Sequence, residues 1–144
     1  MADQTKIQSR KSWREAGYNV ENAEFFVQIS GGRKVKRDLF GFVDLVAIPG
    51  PGNWIQLPLE HRNNLSNSIN PVVFIQVTSW THVPTRRRKI LTETTGKGQW
   101  EVPIRELVAG LLRGGSLIVV EGWRKKGRVW GRRQHWFTEE ELKS

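Results

Sequence analysis

The chain has 144 residues, 23 Lys and Arg against 14 Asp and Glu, and a formal net charge of +9. Its 7 Trp, 3 His and absence of Cys exclude a disulfide framework, a thiolate zinc site and a cysteine nucleophile, and leave little for a histidine-rich metal site. The length fits one domain with a real core, no run approaches the roughly 20 apolar residues of a membrane span, and the N-terminus lacks the apolar centre of a signal peptide, so the expectation is a soluble cytoplasmic protein without a membrane partner.

Residues 6–16 are polar and helix-compatible, and Gly17 suits the left-handed position just past a helix end. Residues 18–29 mix aromatic and acidic side chains before Gly31 and Gly32, which fits a strand or a loop. The stretch VKRDLFGFVDLVAI, residues 35–48, reads as a strand pair or one long bent strand with Gly41 at the bend. Residues 49–71 are rich in Pro, Gly and Asn and too long for an ordinary connection, so they read as a functional loop or a hairpin insertion.

Residues 72–79, VVFIQVTS, predict a central strand with Gln76 and Thr78 on one side. Pro84 fits the first turn of a helix that runs to about Thr92, with Gly96 and Gly98 ending it. Ile104, Leu107, Val108, Leu111 and Leu112 form the buried stripe of a second helix that Gly114 and Gly115 stop. Residues 116–123 and 129–137 flank a turn at Gly127, and an acidic tail follows. The order predicts one α+β domain, a mixed central sheet flanked by helices with a C-terminal β-hairpin.

Asp44 is the one charge within LFGFVDLVAI. An ionised carboxylate removed from water is costly unless cations or hydrogen bonds compensate it, so Asp44 is either a structural carboxylate paired with Arg or Lys or a metal ligand. Gln76 and Thr78 are oxygen-bearing interruptions of the next apolar strand, and they either bond to neighbouring loops or converge with Asp44 on a hard cation such as magnesium.

These residues carry a resemblance. KRDLFGFVDLVAI, VFIQVTS, the helix with RRRKI and the hairpin with GW and a second Trp-bearing strand resemble the PD-(D/E)XK nuclease superfamily, in particular the small Holliday-junction-resolvase-like nucleases of phages and archaeal viruses. The resemblance spans about residues 35–137, with 49–71 as an unmatched insertion. It implies a restriction-endonuclease-like core of helix, three antiparallel strands, helix and a further strand, and a metal-dependent DNA endonuclease that uses Mg2+ or Mn2+.

The resemblance places Asp44 as the metal-binding aspartate, Gln76 at the acid of the D/EXK element and Thr78 where its Lys is expected. Gln76 keeps a carbonyl oxygen for the metal, whereas Thr78 removes a cation that would stabilise charge on the phosphoryl group. Lys89, or Lys36, could supply that cation from a neighbouring element. Glu24 is a possible second metal ligand and the Val77 carbonyl a further one. Asp38 could instead pair with Arg37 or a nearby Lys. A homodimer follows by analogy with resolvases.

Most of the excess charge lies after residue 72, with 14 Lys and Arg there against 9 before it. Arg86, Arg87, Arg88 and Lys89 have Glu93 as the only acid nearby in the chain, and Arg124, Lys125, Lys126, Arg128, Arg132 and Arg133 are interleaved with Trp123, Trp130 and Trp136. Together with Lys36 these cations are the expected DNA contacts, phosphates meeting guanidinium groups and bases stacking on rings, with Trp123 expected to be buried. Phosphate-loop, GxSxG and HExxH signatures are absent. Two alternatives remain: an inactive nuclease-fold protein that binds nucleic acid, and a viral structural protein whose cations are dispersed instead of gathered beside Asp44.

Overall fold

A computed structural model describes residues 3–28, 31–50 and 71–143; the expected insertion falls almost wholly outside them. Helix α1 (Gln4–Glu15) starts where the Asp3 carboxylate accepts the Thr5 N–H at 3.0 Å, and it ends at Gly17, whose φ of 97° no other residue type adopts as readily. Strands β1 (Tyr18–Asn22), β2 (Glu24–Gln28), β3 (Lys34–Asp38), β4 (Leu45–Pro49) and β5 (Val73–Ser79) follow. A short 3-10 turn then runs into helix α2 (Val83–Thr92), the small strands β6 (Thr94–Thr95) and β7 (Val102–Pro103), and helix α3 (Ile104–Arg113). The chain closes with β8 (Leu117–Lys126), β9 (Val129–Trp136) and helix α4 (Glu139–Lys143).

The main sheet has five strands in the order β1, β4, β5, β8, β9, with β5 and β8 parallel and the other neighbours antiparallel. This is the α+β architecture expected from the sequence, with the C-terminal hairpin reduced to a two-residue turn at Gly127 and Arg128. Residues 35–48 do not form one bent strand. Phe40 and Gly41 take positive φ, and this turn sends β3 to pair with β2 while β4 joins the main sheet. The helix after Pro84 stops at Thr92, before Gly96 and Gly98, because residues 94–95 leave it to pair with β7.

Helices cover both faces of the sheet. On one, Trp13 and Tyr18 pack with Leu45, Ile75, Val77, Val119 and Trp123; on the other, Val83, Ile90, Ile104 and Val108 pack with Ile118, Val120 and Phe137. Burial on both faces explains why residues 117–123 read as one apolar run.

One charge interrupts that run. Glu121 is fully buried, and its carboxylate accepts hydrogen bonds from Ser9 Oγ at 2.5 Å, Trp13 Nε1 at 3.2 Å, Trp123 Nε1 at 3.0 Å and Gln134 Nε2 at 2.7 Å, with Arg132 at 3.8 Å. These donors come from α1, β8 and β9, so one acceptor fastens three elements. Glu121→Ala strands four donors and should cost on the order of 3 kcal/mol in urea unfolding. Glu121→Gln, which keeps an acceptor oxygen, should cost less; a loss below about 1 kcal/mol for the alanine variant would refute the role of this network.

Candidate metal centre

The β2–β3 register sets Glu24 directly opposite Asp38. Beside them the Ala23 N–H donates to the Asp44 carbonyl at 2.8 Å, and the Leu39 N–H to the Ala23 carbonyl at 3.0 Å. Backbone bonds to one residue, Ala23, thus tie the small ribbon to the start of β4, and carboxylate oxygens of Glu24, Asp38 and Asp44 come within 4.8 Å of one another. Oxygens bound to one octahedral magnesium ion lie about 3 Å apart when adjacent and about 4.2 Å apart when opposite, so the trio would have to draw closer to hold one.

β5 supplies the other side. The Asp44 N–H donates to the Ile75 carbonyl at 2.9 Å and Asp44 Oδ2 accepts the Val77 N–H at 2.7 Å. Continuing the β4–β5 register from Leu45 and Ile75 puts Gln76 across from Asp44 on the same face of the sheet. Gln76 is 6% exposed, and its Oε1 has no hydrogen-bond partner among the described residues. A buried amide oxygen without a donor costs about 1–3 kcal/mol, and a cation beside the carboxylates would satisfy it. The donor set, three carboxylates and one amide oxygen, fits a hard divalent ion.

Lysines provide the counter-charge. Lys6 of α1 forms an ion pair with Glu24 and lies 3.7 Å from Asp44 Oδ1, while Lys36 of β3 pairs with the other Glu24 oxygen. Burial pushes the Asp44 carboxyl up to about 6; the Val77 N–H opposes this, the Asp38 charge adds to it, and the charges of Lys6 and Arg86 oppose it.

Of the residues singled out in the sequence, Glu24, Lys36, Asp44, Gln76 and Val77 meet here, and Thr78 is buried two residues further along β5. Val77 reaches the site through its N–H. Arg86 acts on Asp44 from the half-buried side of α2, whereas Arg88 and Lys89 are exposed on its outer side. Arg87 pairs with Glu141 at 2.6 Å, an acid that only folding brings near.

The hairpin cations are largely committed within the fold. Arg124 stacks 4.0 Å over Trp80, Lys125 lies over Trp130, Arg132 lies over Trp123 and donates to Ser12 Oγ, and Arg133 donates to the Trp80 carbonyl. Lys126 and Arg128 are exposed at the turn. Trp123 is buried as expected, and the most exposed large apolar side chain among the described residues is Trp100, at 76%.

Sequence reasoning missed Lys6, and it assigned Asp38 to a cation instead of the carboxylate trio. The antiparallel pairing of β2 with β3 was the signal for Asp38; for Lys6, the spacing to Ser9 and Trp13 on one helix face becomes informative only once Glu121 is seen to face that side. No protein-family model matches the chain, and neither do curated proteins or solved structures.

Because its carboxyl is raised, Asp44 in the folded chain holds a proton that the unfolded chain releases near pH 4. Its contribution to stability therefore falls as pH rises from about 4 to about 6. Metal-free Asp44→Asn should gain melting temperature relative to wild type across that window and keep the gain above it. A pH-independent difference between the two melting curves would refute the burial account.

Proposed function

We propose that this chain is a metal-dependent DNA endonuclease of the PD-(D/E)XK type, acting on branched or junction DNA. The observation that carries the reading is the trio Glu24, Asp38 and Asp44 set against the unpartnered buried oxygen of Gln76. The helix α1, the antiparallel strands β1, β4 and β5, the helical crossover and the parallel strand β8 agree with the core the resemblance implies. Homodimerisation belongs to the same reading and rests on the resolvase analogy.

Glu24, Asp38, Asp44 and Gln76 would hold the ion, which when bound stabilises negative charge on phosphoryl oxygens and eases ionisation of water. Lys6 supplies the positive charge that Thr78 lacks, from α1 instead of from β5. Its ammonium can hold a phosphate oxygen or orient the attacking water while Glu24 and Asp44 keep it in place. Arg86 adds a second cation on the α2 side. Convergence of Lys6, Lys36 and Arg86 on the carboxylates argues against a protein whose charge merely shadows packaged nucleic acid.

Cleavage of supercoiled, linear and four-way-junction DNA with Mg2+ or Mn2+ tests this. Asp44→Ala should abolish cutting, and Lys6→Ala should slow it on the order of 100-fold while leaving metal binding intact. Equal cutting by Asp44→Ala would sink the site assignment. The second reading, a nuclease-fold protein that binds DNA without cutting it, has Thr78 in its favour. Metal-independent binding with no cleavage by the wild type would establish it instead.

A further inference from the structure

A cleft of about 270 Å³, which Glu24 alone of the carboxylate trio lines, is bounded by Asp3, Lys6, Ile7, Arg10, Asn22, Glu24 and Lys36. A second cleft, of about 370 Å³, is lined by Ile7, Arg10, Lys11, Arg14 and Glu15. The two share Ile7 and Arg10, so they adjoin, and together they follow α1 from Glu24 towards the helix C-terminus as a groove. Lys6, Arg10 and Arg14 recur every fourth residue along it, about 6 Å apart along the helix axis.

Lys6 is paired with Glu24, as Arg87 of α2 is with Glu141, and Arg124 of the hairpin sits over the Trp80 ring. Arg10 donates to the Asn22 amide oxygen at 3.4 Å and Arg14 to the Val20 carbonyl at 3.2 Å, both neutral acceptors. A guanidinium with one neutral partner keeps its charge uncompensated and has further donors to offer. Asp3, one of the acids in the groove, is engaged in capping α1 through Thr5.

We propose that a bound DNA strand runs its phosphodiester backbone from the carboxylate centre along α1, in the groove lined by Lys6, Arg10, Lys11 and Arg14, with Lys36 at its near end. The proposal rests on the DNA-binding part of the reading above and not on cleavage. It moves the main phosphate track from the second half of the chain, where the charge excess lies, to the first helix. A positive groove that follows a backbone is the arrangement by which proteins hold strands without reading sequence.

Binding of fluorescently labelled duplex and single-stranded DNA in EDTA tests it without any dependence on metal or cutting. Arg10→Glu with Lys11→Glu should weaken binding at least about 10-fold and flatten the plot of log affinity against log salt by about two phosphate contacts. The charge-matched pair Lys97→Glu with Arg113→Glu, on exposed positions away from the groove, should change affinity far less. If the acidic pair fails to melt cooperatively, Arg10→Gln with Lys11→Gln should show a smaller loss in the same direction. Affinity and salt slope for the groove variants equal to those of the control pair would overturn the proposal, as would failure of the wild type to bind either DNA or tighter binding of an RNA of equal length. A groove-dependent loss of binding in a protein that never cuts would uphold the track while overturning the nuclease. Cutting with unaffected binding would do the reverse.

Discussion

The buried carboxylate of Glu121 is the interaction on which the arrangement of the site depends. A fully buried acid on the central parallel strand must recruit donors, and it takes two of them, Ser9 and Trp13, from α1. Those residues are four apart and share one helix face, so bonding both fixes the rotation of the helix about its axis. Lys6 lies three residues before Ser9 on the same stripe, and it is this rotation that delivers its ammonium to Glu24 and Asp44. The face that is left carries Arg10, Lys11 and Arg14 along the groove. One acid on one side of the sheet thus sets the electrostatics of a second group of acids at its edge.

At that second group opposing effects meet, and burial is the largest of them. Burial disfavours ionised Asp44 and the neighbouring Asp38 charge disfavours it further, while the Val77 N–H, Lys6 and Arg86 favour it. The lysines hold the carboxylates together, yet Gln76 keeps an unanswered oxygen beside them, since an ammonium has only donors at the end of a long stem and Lys6 spends its reach on Glu24. A small divalent ion can touch several oxygens at once, and that difference in geometry separates a tolerated cluster from a ligand set.

Much of the fold was legible in the residues. The apolar run 72–79, the helical stripe through Ile104 and Val108, the left-handed Gly17 and the turn at Gly127 each report a local rule, and β5, α3, the end of α1 and the hairpin follow them. Asp44 and Gln76 were conspicuous because each breaks an apolar pattern. Asp38 was not, because its meaning depends on a register with Glu24 set by the turn at Phe40 and Gly41. Glu121 sat unremarked in a strand whose burial on both faces became evident only when the sheet was assembled. The ion pair of Arg87 was not legible for a related reason: its partner Glu141 is 54 residues away.

By itself the sequence determined the elements, their α+β class and the presence of a carboxylate that water could not solvate, because backbone propensity, hydrophobic period and the cost of a buried charge act over a few residues. Tertiary structure decided which charges face one another. It gathered Glu24, Asp38 and Asp44, brought Lys6 to two of them, and committed much of the basic hairpin to the rings of Trp80, Trp123 and Trp130 and to the Trp80 carbonyl. Coulombic partners are chosen by distance in space, and in this chain the pairs that matter are joined by strand register and by the rotation of one helix, neither of which is written in any short stretch of residues.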